Sequence, residues 1–246
     1  MASRPRTILS LLDSLAPKVQ AAFLKSVQNI RSDAQLGLMI AALERGDVNA
    51  ALQFLNIETQ YFAPLDQALT QAYSDGGDWA IEGIRNIAKT QGATIVARFD
   101  ARNPRAEAFL STQSSRLIVG IVRDQVDSVR DVLTQNMKNG VSPRQAALDI
   151  VGRINRVTGR REGGLLGLTS QQAAYSDNAL TQLRSGDPAL MRKYLTRTAR
   201  DKRFDRTVLD AIRNEKPVSA QGANRIVSRY RDILLNKRGE AIARTE

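Results

Sequence analysis

The sequence predicts a mainly α-helical protein, a multi-helix assembly with one long central helix and at most a small β-hairpin or short strands. Hydrophobic residues make up 42% of the 246 residues and aromatic residues only 5%, so the core is aliphatic, which favours packed helices over a sheet sandwich. Apolar residues recur at helical spacing along most of the chain. Helix-capping residues precede several of these runs.

The region 1–92 is expected to be helical, with short helices and tight joints. Residues 7–31 carry apolar side chains at helical spacing, which predicts an amphipathic helix. Pro17 lies inside this run. Because proline lacks the amide hydrogen that a helix interior uses, we expect it to mark a break or a new start.

Three further helices are predicted before residue 80. The first covers residues 33–45 and should stop at Gly46, since glycine is common just after a helix end. Asp47 is placed to cap the second. The third covers residues 64–77, from Pro64 to the second of two adjacent glycines.

The region 93–168 is expected to hold the long central helix. Asn103 and Pro104 form a cap followed by proline at the first helical position, and the helix should run to about Lys138. Its apolar residues step by three or four and form one stripe: Ile118, Val122, Val126, Val129, Leu133 and Met137. The preceding residues 94–100 are a plausible strand, although a helical alternative stays open.

A glycine-rich stretch follows a helix that Ser142 and Gln145 should open as a capping box. It has the sequence NRVTGRREGGLLGLT and shows no helical period, so we interpret it as a hairpin or an ordered loop with a basic tip. It matches neither a phosphate-binding loop nor a dinucleotide-binding motif, because no Gly-Lys-Ser/Thr and no βαβ context are present. A small β element is therefore expected near residues 94–100 or 156–168.

The region 169–246 is predicted to be helical and basic. Thr169 opens a capping box, and Asp187 is placed to cap the helix that follows. Helices over residues 198–214 and 219–244 complete the prediction.

The residue inventory excludes several kinds of catalytic site. The chain has no His and no Cys, which removes the usual general base near neutral pH, thiolate nucleophiles and Cys-ligated metals. A hydrolase using only carboxylates would be compatible with this inventory, but no paired acidic motif supports one. We therefore expect no enzyme activity, no catalytic residue, no metal site and no cofactor.

Three carboxylates of the long helix could in principle hold a divalent cation, since Asp124, Asp127 and Asp131 share one face at i, i+3 and i+7. Arg123 and Arg130 interleave with them, and no fourth oxygen ligand is near in sequence. We interpret this face as solvated and ion-paired.

Positive charge is concentrated in the last quarter of the chain. The net charge is +11, and residues 190–246 hold 15 Lys/Arg against 7 Asp/Glu, a net +8. Such a concentration indicates a polyanionic partner, either nucleic acid or an acidic protein surface, while a solvated helical face is the alternative. The candidate DNA- or portal-contact residues are Arg197, Arg200, Arg203, Arg206, Arg225 and Arg229. We expect Phe204 and Tyr230 to be core anchors rather than base-stacking platforms.

Four stretches, in order, are similar to a known family. They are FDARNPRAEAFL, SPRQAALDIVGRINRVTGRREGGLLGLTSQQ, RDKRFDRTV and IVSRYRDILLNKRGEAIARTE. Together they resemble the phage minor head, or head morphogenesis, family (phage Mu F-like), and IARTE at 242–246 is that family's most recognisable string. The resemblance runs from about Phe99 to the end, with a looser helical match before it. In that family more chain follows IARTE, so we expect that the sequence is truncated at this motif.

The resemblance implies a structural virion protein, made in the cytoplasm of the bacterial host and present in multiple copies in the head. Such proteins associate with the portal vertex or head interior, assist head assembly, and influence how DNA is retained or released. The implied partners are the portal protein, the major capsid protein, and packaged double-stranded DNA bound without sequence preference. An internal virion protein ejected with the DNA is the alternative. The amino-terminal residues are too interrupted by charge for a signal peptide, and no membrane association is expected.

Overall fold

The computed structural model describes residues 7–100 and 103–245. It is 75% helical, and these residues form ten α-helices and one two-stranded antiparallel sheet. The prediction of a mainly α protein with one long central helix and a small hairpin is confirmed.

The helices are α1 (Ile8–Asp33), α2 (Leu36–Glu44), α3 (Val48–Gln53), α4 (Ala63–Thr90), α5 (Pro104–Lys138), α6 (Pro143–Val151), α7 (Ser170–Arg184), α8 (Pro188–Leu195), α9 (Asp205–Arg213) and α10 (Ala220–Thr245). Strands β1 (Arg153–Ile154) and β2 (Arg161–Glu162) form the sheet, and 3-10 turns cover Thr59–Phe62 and Lys202–Phe204.

The described chain folds into two compact units, each assembled from separated stretches. The first unit holds residues 7–26, 59–100, 103–121 and 239–245, and the second holds residues 27–58 and 122–238. The division along the chain into 1–92, 93–168 and 169–246 stays a prediction.

Helix α1 runs without interruption through Pro17, so the predicted break there is wrong. The missing amide and the ring clash cost a helix about 3 kcal/mol. The same helix buries Val19 and Phe23 in the first unit, and burying each such side chain contributes about 1.5–3 kcal/mol. Packing of the apolar stripe therefore outweighs the local defect.

Helix α4 also continues where the sequence predicts an end, at Gly76 and Gly77. Glycine costs a helix about 1 kcal/mol relative to alanine, which is too little to stop a helix that packs along its length. Gly77 has a use in the packing, because a Cβ there would overlap the ring of Phe99. The ring centroids of Phe99 and Tyr73, one turn before Gly77 on α4, are 5.4 Å apart.

Residues 93–100 are neither strand nor helix, so both alternatives for 94–100 are wrong, and the small β element is the hairpin of β1 and β2, near the other predicted place. Val96 is 92% exposed, and Ile95 is exposed as well, although β-forming side chains usually stabilise a strand by packing. The segment is instead held to α4 by Phe99 and by a hydrogen bond from the Arg85 guanidinium to the carbonyl of Ala97.

Helix α5 is the predicted long helix, with 35 residues. Of the predicted stripe, Ile118, Val129 and Leu133 are buried in their units and Val122 and Val126 are half-buried, whereas Met137 is 36% exposed. The stripe therefore ends one turn earlier than predicted.

The predicted caps are present. The side chains of Asp47 and Asp187 accept hydrogen bonds from amides in the first turns of α3 and α8, and Thr169 forms a complete capping box with Gln172. The predicted capping box at Ser142 is only half formed: the Ser142 side chain accepts from the amide of Gln145, but Oε1 of Gln145 accepts from Arg153 at 3.0 Å. Among the described residues, no helix combines the length and the apolar character needed to cross a bilayer.

Candidate nucleic-acid interface

The six candidate arginines all belong to the second unit. Arg197 and Arg200 follow α8, Arg203 lies in the second 3-10 turn, Arg206 is in α9, and Arg225 and Arg229 are in α10. Two aspartates of the same stretch, Asp201 and Asp205, decide how many of these arginines are available to a partner.

Arg200 is held by Asp205 in a two-point ion pair. Its Nε lies 2.9 Å from Oδ1 and its Nη2 lies 3.0 Å from Oδ2, and Nη1 donates to the carbonyl of Arg197 at 3.1 Å. The hydrogen bond to Asp205 raises the pKa of Arg200. Arg200 therefore orders the turn before α9 rather than facing solvent as a free cation.

The carboxylate of Asp201 accepts hydrogen bonds from two arginines. The Nη2 of Arg203 lies 2.6 Å from its Oδ2, and the Nε of Arg229 lies 3.4 Å from the same oxygen. The hydrogen bonds from Arg203, and then that from Arg229, hold the pKa of Asp201 well below its usual range. The carboxylate is therefore ionised at neutral pH and partly neutralises both guanidinium groups.

Arg197 is positioned by neutral partners. Its Nε donates to Oε1 of Gln182 at 3.1 Å, and its guanidinium stacks on the ring of Tyr230, 5.6 Å from the centroid. Tyr230 is 3% exposed and is the core anchor that the sequence predicted, while Phe204 is half-buried beneath the guanidinium of Arg225. The buried ring of Tyr230 therefore offers no open face for stacking on a base, whereas Phe204 is not a fully buried core anchor.

Arg206 and Arg225 are the two exposed members without an ion pair or hydrogen bond in the part of the chain that the structure describes. Less of the positive charge in this quarter is thus available to a polyanionic partner than the sequence suggests. Two further basic residues of this quarter, Arg231 and Arg238, are only 5% and 9% exposed and do not contribute to a basic surface.

The buried arginines have a different function. Arg231 and Arg238 of α10, together with Arg31 of α1, surround the glycine loop, defined here as residues 163–168 after β2. We call these three side chains the arginine clamp, since each one donates to backbone carbonyls within or next to the loop.

Arg31 donates to two carbonyls of the glycine loop from its Nη2, at 2.9 Å to Gly164 and 2.7 Å to Leu166. Its Nη1 lies 3.4 Å from the carbonyl of Arg161. Burial lowers the pKa of Arg31 to about 10, which still leaves it charged at neutral pH. A buried cation that satisfies several carbonyls fixes the loop more firmly than neutral hydrogen bonds would.

Arg231 and Arg238 complete the clamp from α10. Arg231 donates from Nε to the hydroxyl of Ser176 at 2.6 Å, and its Nη1 lies 3.4 Å from the carbonyl of Gly163. Arg238 donates to the carbonyl of Gly167 at 3.0 Å and pairs with Asp124. Burial lowers the pKa of both guanidinium groups.

Several amides of the glycine loop are paired as well. Gly163 donates to Oδ1 of Asp232 at 2.8 Å, and Gly167 donates to Oε1 of the buried Gln125 at 3.2 Å. Burial raises the pKa of Asp232, although the amide hydrogen bond opposes this shift. The predicted ordered loop is therefore a segment in which distant side chains pair with several backbone groups, while the amides of Leu165 and Leu166 donate to the carbonyls of Asp149 and Ile150.

Sequence reasoning missed the arginine clamp, but a signal for it was present. Arg31 lies four residues after Val27 on the buried face of α1, and Arg231 lies four residues after Val227 on α10. Charged residues are almost never fully buried unless they are paired. A charge on an apolar stripe therefore indicates a buried partner.

The carboxylates of α5 divide into two kinds. Asp127 is exposed and lies 3.4 Å from Arg130, as the ion-paired face predicted, and Asp131 is exposed. Asp124 instead pairs with the buried Arg238 at 2.8 Å. No group of three His, Cys, Asp or Glu side chains suited to a metal ion is found among the described residues.

This difference predicts that removing the charge of each of the three aspartates will change the stability of the protein by different amounts. Asp124→Asn should lower the free energy of unfolding by about 1–3 kcal/mol, because the charge of Arg238 then stays buried without its ionised partner. Asp127→Asn and Asp131→Asn should change it by less than about 0.5 kcal/mol, as exposed ion pairs contribute little. Urea unfolding followed by circular dichroism measures this. Equal effects for all three variants would contradict the assignment.

Two other carboxylates line a polar pocket of about 310 Å³ in the second unit. Asp149 and Asp177 lie 3.8 and 3.7 Å from different Nη atoms of Arg231, and burial raises the pKa of Asp177. Since both carboxylates face the same buried guanidinium, their arrangement neutralises Arg231.

No protein-family model, curated protein or solved structure matches the chain.

Proposed function

We propose that this chain is a structural, non-enzymatic protein of the phage head. It is a minor head, or head morphogenesis, protein that associates with the portal vertex or head interior and assists head assembly and the retention or release of DNA. Its partners in this proposal are the portal protein, the major capsid protein and packaged duplex DNA. The protein is made in the host cytoplasm and enters the virion in several copies.

One observation carries the proposal. Two of the four stretches that resemble the minor head family contact each other within the second unit. Arg231, Asp232 and Arg238 belong to the last of these stretches, and they bind the glycine loop of the second stretch. The resembling residues therefore specify a common structural core, which supports membership more strongly than separate short matches along a chain would.

The protein content of purified phage particles tests the proposal. We expect the chain in full particles and in particles emptied of DNA, cross-linked to portal or capsid protein. Loss of its gene should produce defective heads. A chain present in full particles but absent from emptied ones would instead support the ejected internal protein. Its absence from both would contradict a virion role.

The DNA contact is testable on the purified chain. Replacing all six candidate arginines with Ala should weaken binding to unrelated duplexes, with Arg206 and Arg225 contributing most because they lack ionised partners. Each phosphate contact contributes about 0.9 to the slope of log affinity against log salt, so Arg206→Ala with Arg225→Ala should reduce that slope by about 1.8. Fluorescence anisotropy at several salt concentrations measures both quantities.

A charge-matched control separates a local contact from net charge. Arg123→Ala with Arg130→Ala removes two exposed arginines of α5 from the same unit. An equal loss of affinity in the control would show that only the total charge matters. Binding that ignores all six substitutions would mean that these arginines form a solvated surface.

A further inference from the structure

The hairpin formed by β1 and β2 has an ordered tip. The amide of Asn155 donates to the carbonyl of Arg160 at 2.8 Å, and the amide of Gly159 donates to the carbonyl of Asn155 at 2.8 Å. The side-chain oxygen of Asn155 accepts from the amide of Val157 at 2.8 Å, which closes an Asx turn. Backbone and side-chain hydrogen bonds thus fix the turn between the strands.

Glu162, the single acidic residue of the hairpin, stabilises this turn. Asn155 donates to one oxygen of the Glu162 carboxylate at 2.8 Å, and the hydroxyl of Thr158 donates to the other at 3.0 Å. Residues 153–162 contain four arginines and one glutamate, a net +3. With Glu162 occupied by neutral donors, it forms no ion pair with a tip arginine in the described structure.

The base of the hairpin is anchored on both sides. Arg153 pairs with Asp149 at 3.5 Å, and Arg161 donates to the carbonyl of Gly152 at 3.2 Å. Beyond β2 begins the glycine loop, whose Gly163 is held by Asp232 and Arg231. The arginine clamp therefore fixes the segment from which the hairpin emerges, and the tip costs little conformational entropy to order on binding.

Three side chains of the tip face solvent. Arg156 and Arg160 are exposed, and neither has an ion pair or hydrogen bond through its side chain among the described residues. Val157 lies between them in sequence and is 94% exposed. A rigid turn that presents an apolar side chain with an unpaired guanidinium on each side is suited to bind a surface that combines negative charge with apolar groups.

We propose that this tip, Arg156, Val157 and Arg160, is a duplex DNA contact that enters a groove. A two-stranded ribbon fits the major groove, which is about 12 Å wide, and arginines at its edges reach the flanking phosphates. Val157 then packs on sugar or on thymine methyl groups in the groove. A convex tip suits a groove better than the flat surface of a protein partner. The inference depends on the proposed function only in one respect, namely that the duplex is packaged phage DNA.

The test uses the full chain and short duplexes of unrelated sequence. Arg156→Ala with Arg160→Ala should reduce the salt slope by about 1.8, so that the unmodified chain loses about tenfold more affinity than the variant between roughly 50 and 200 mM salt. Arg156→Lys with Arg160→Lys should keep the slope. Val157→Ser should weaken binding about fourfold or more with an unchanged slope, because methyl burial is lost.

The controls decide between a site and general charge. The Arg123 and Arg130 double Ala variant removes the same charge elsewhere, and thermal unfolding verifies that every variant folds. An unchanged slope in the tip variant, an equal change in the control, or no duplex binding at low salt would each overturn the proposal. Tip variants that lose binding to the portal protein but not to DNA would overturn it in favour of an acidic protein surface. Presence of the chain in heads would leave the proposed function standing in each case.

Discussion

Arg31→Ala is expected to lower the free energy of unfolding by about 3–5 kcal/mol, which is a large fraction of the stability of a typical domain. The guanidinium is 3% exposed and donates to the carbonyls of Gly164 and Leu166. Truncation leaves these buried acceptors without a partner, and each such loss costs about 1–3 kcal/mol. It also leaves a void where the side chain packs.

Urea unfolding followed by circular dichroism measures the loss. Lys25→Ala is the matched control, since it removes an exposed basic residue of the same helix and should change stability by less than about 0.5 kcal/mol. Arg31→Lys should fall between the two, because an ammonium group lacks the planar fork that reaches two carbonyls. A loss below about 1 kcal/mol for Arg31→Ala would contradict the assigned role of the clamp.

The contribution of Arg31 should not depend on pH near neutrality. Burial lowers the pKa of Arg31 in the folded state from its ordinary value to about 10. Below about 10 the residue is protonated in both the folded and the unfolded state, so its titration adds no slope to stability. Between that value and the higher ordinary pKa of the unfolded chain, the unfolded state binds the additional proton, so this residue increasingly favours the folded state as pH rises through that interval.

The fold could be predicted from the sequence where local chemistry decides it. The long helix α5 and the caps at Asp47 and Thr169 follow from signals within a few residues. The errors at Pro17 and at Gly76 arise because tertiary burial outweighs a local cost of a few kcal/mol. A helix breaker indicates an end only where no packed face extends across it.

The candidate site was predictable only in part for a similar reason. Asp205 and Asp201 are near neighbours of Arg200 and Arg203 in sequence, so their compensation of charge was visible locally. The position of Arg31 on an apolar stripe indicates that it has a buried partner, but the sequence does not identify that partner, because Arg31 donates to backbone carbonyls more than a hundred residues away. Side-chain chemistry in a sequence does not show which backbone acceptors a charge will meet.

A substitution in the glycine loop should lower the free energy of unfolding at least as much as a substitution in the arginine clamp. Gly164→Ala is expected to lower the free energy of unfolding by more than about 4 kcal/mol or to prevent folding. A Cβ at this position would overlap the carbonyl oxygen of Ile150 and lie 2.7 Å from the carbonyl carbon of Val151. These neighbours belong to the end of α6, so they are backbone atoms that cannot rotate away as a side chain could.

Substitutions at two other glycines test whether the loss of stability comes from close packing around Gly164 or from replacing a glycine at all. Gly120→Ala in α5 meets no atom within 4 Å and should raise stability by up to about 1 kcal/mol, because alanine is the better helix former. Gly159→Ala at the hairpin tip is equally open, but its φ of 67° should cost about 1–2 kcal/mol. Soluble yield and thermal unfolding of the three variants measure this order. A Gly164→Ala protein with an unchanged unfolding midpoint would mean that the glycine loop is not packed against α6 as described.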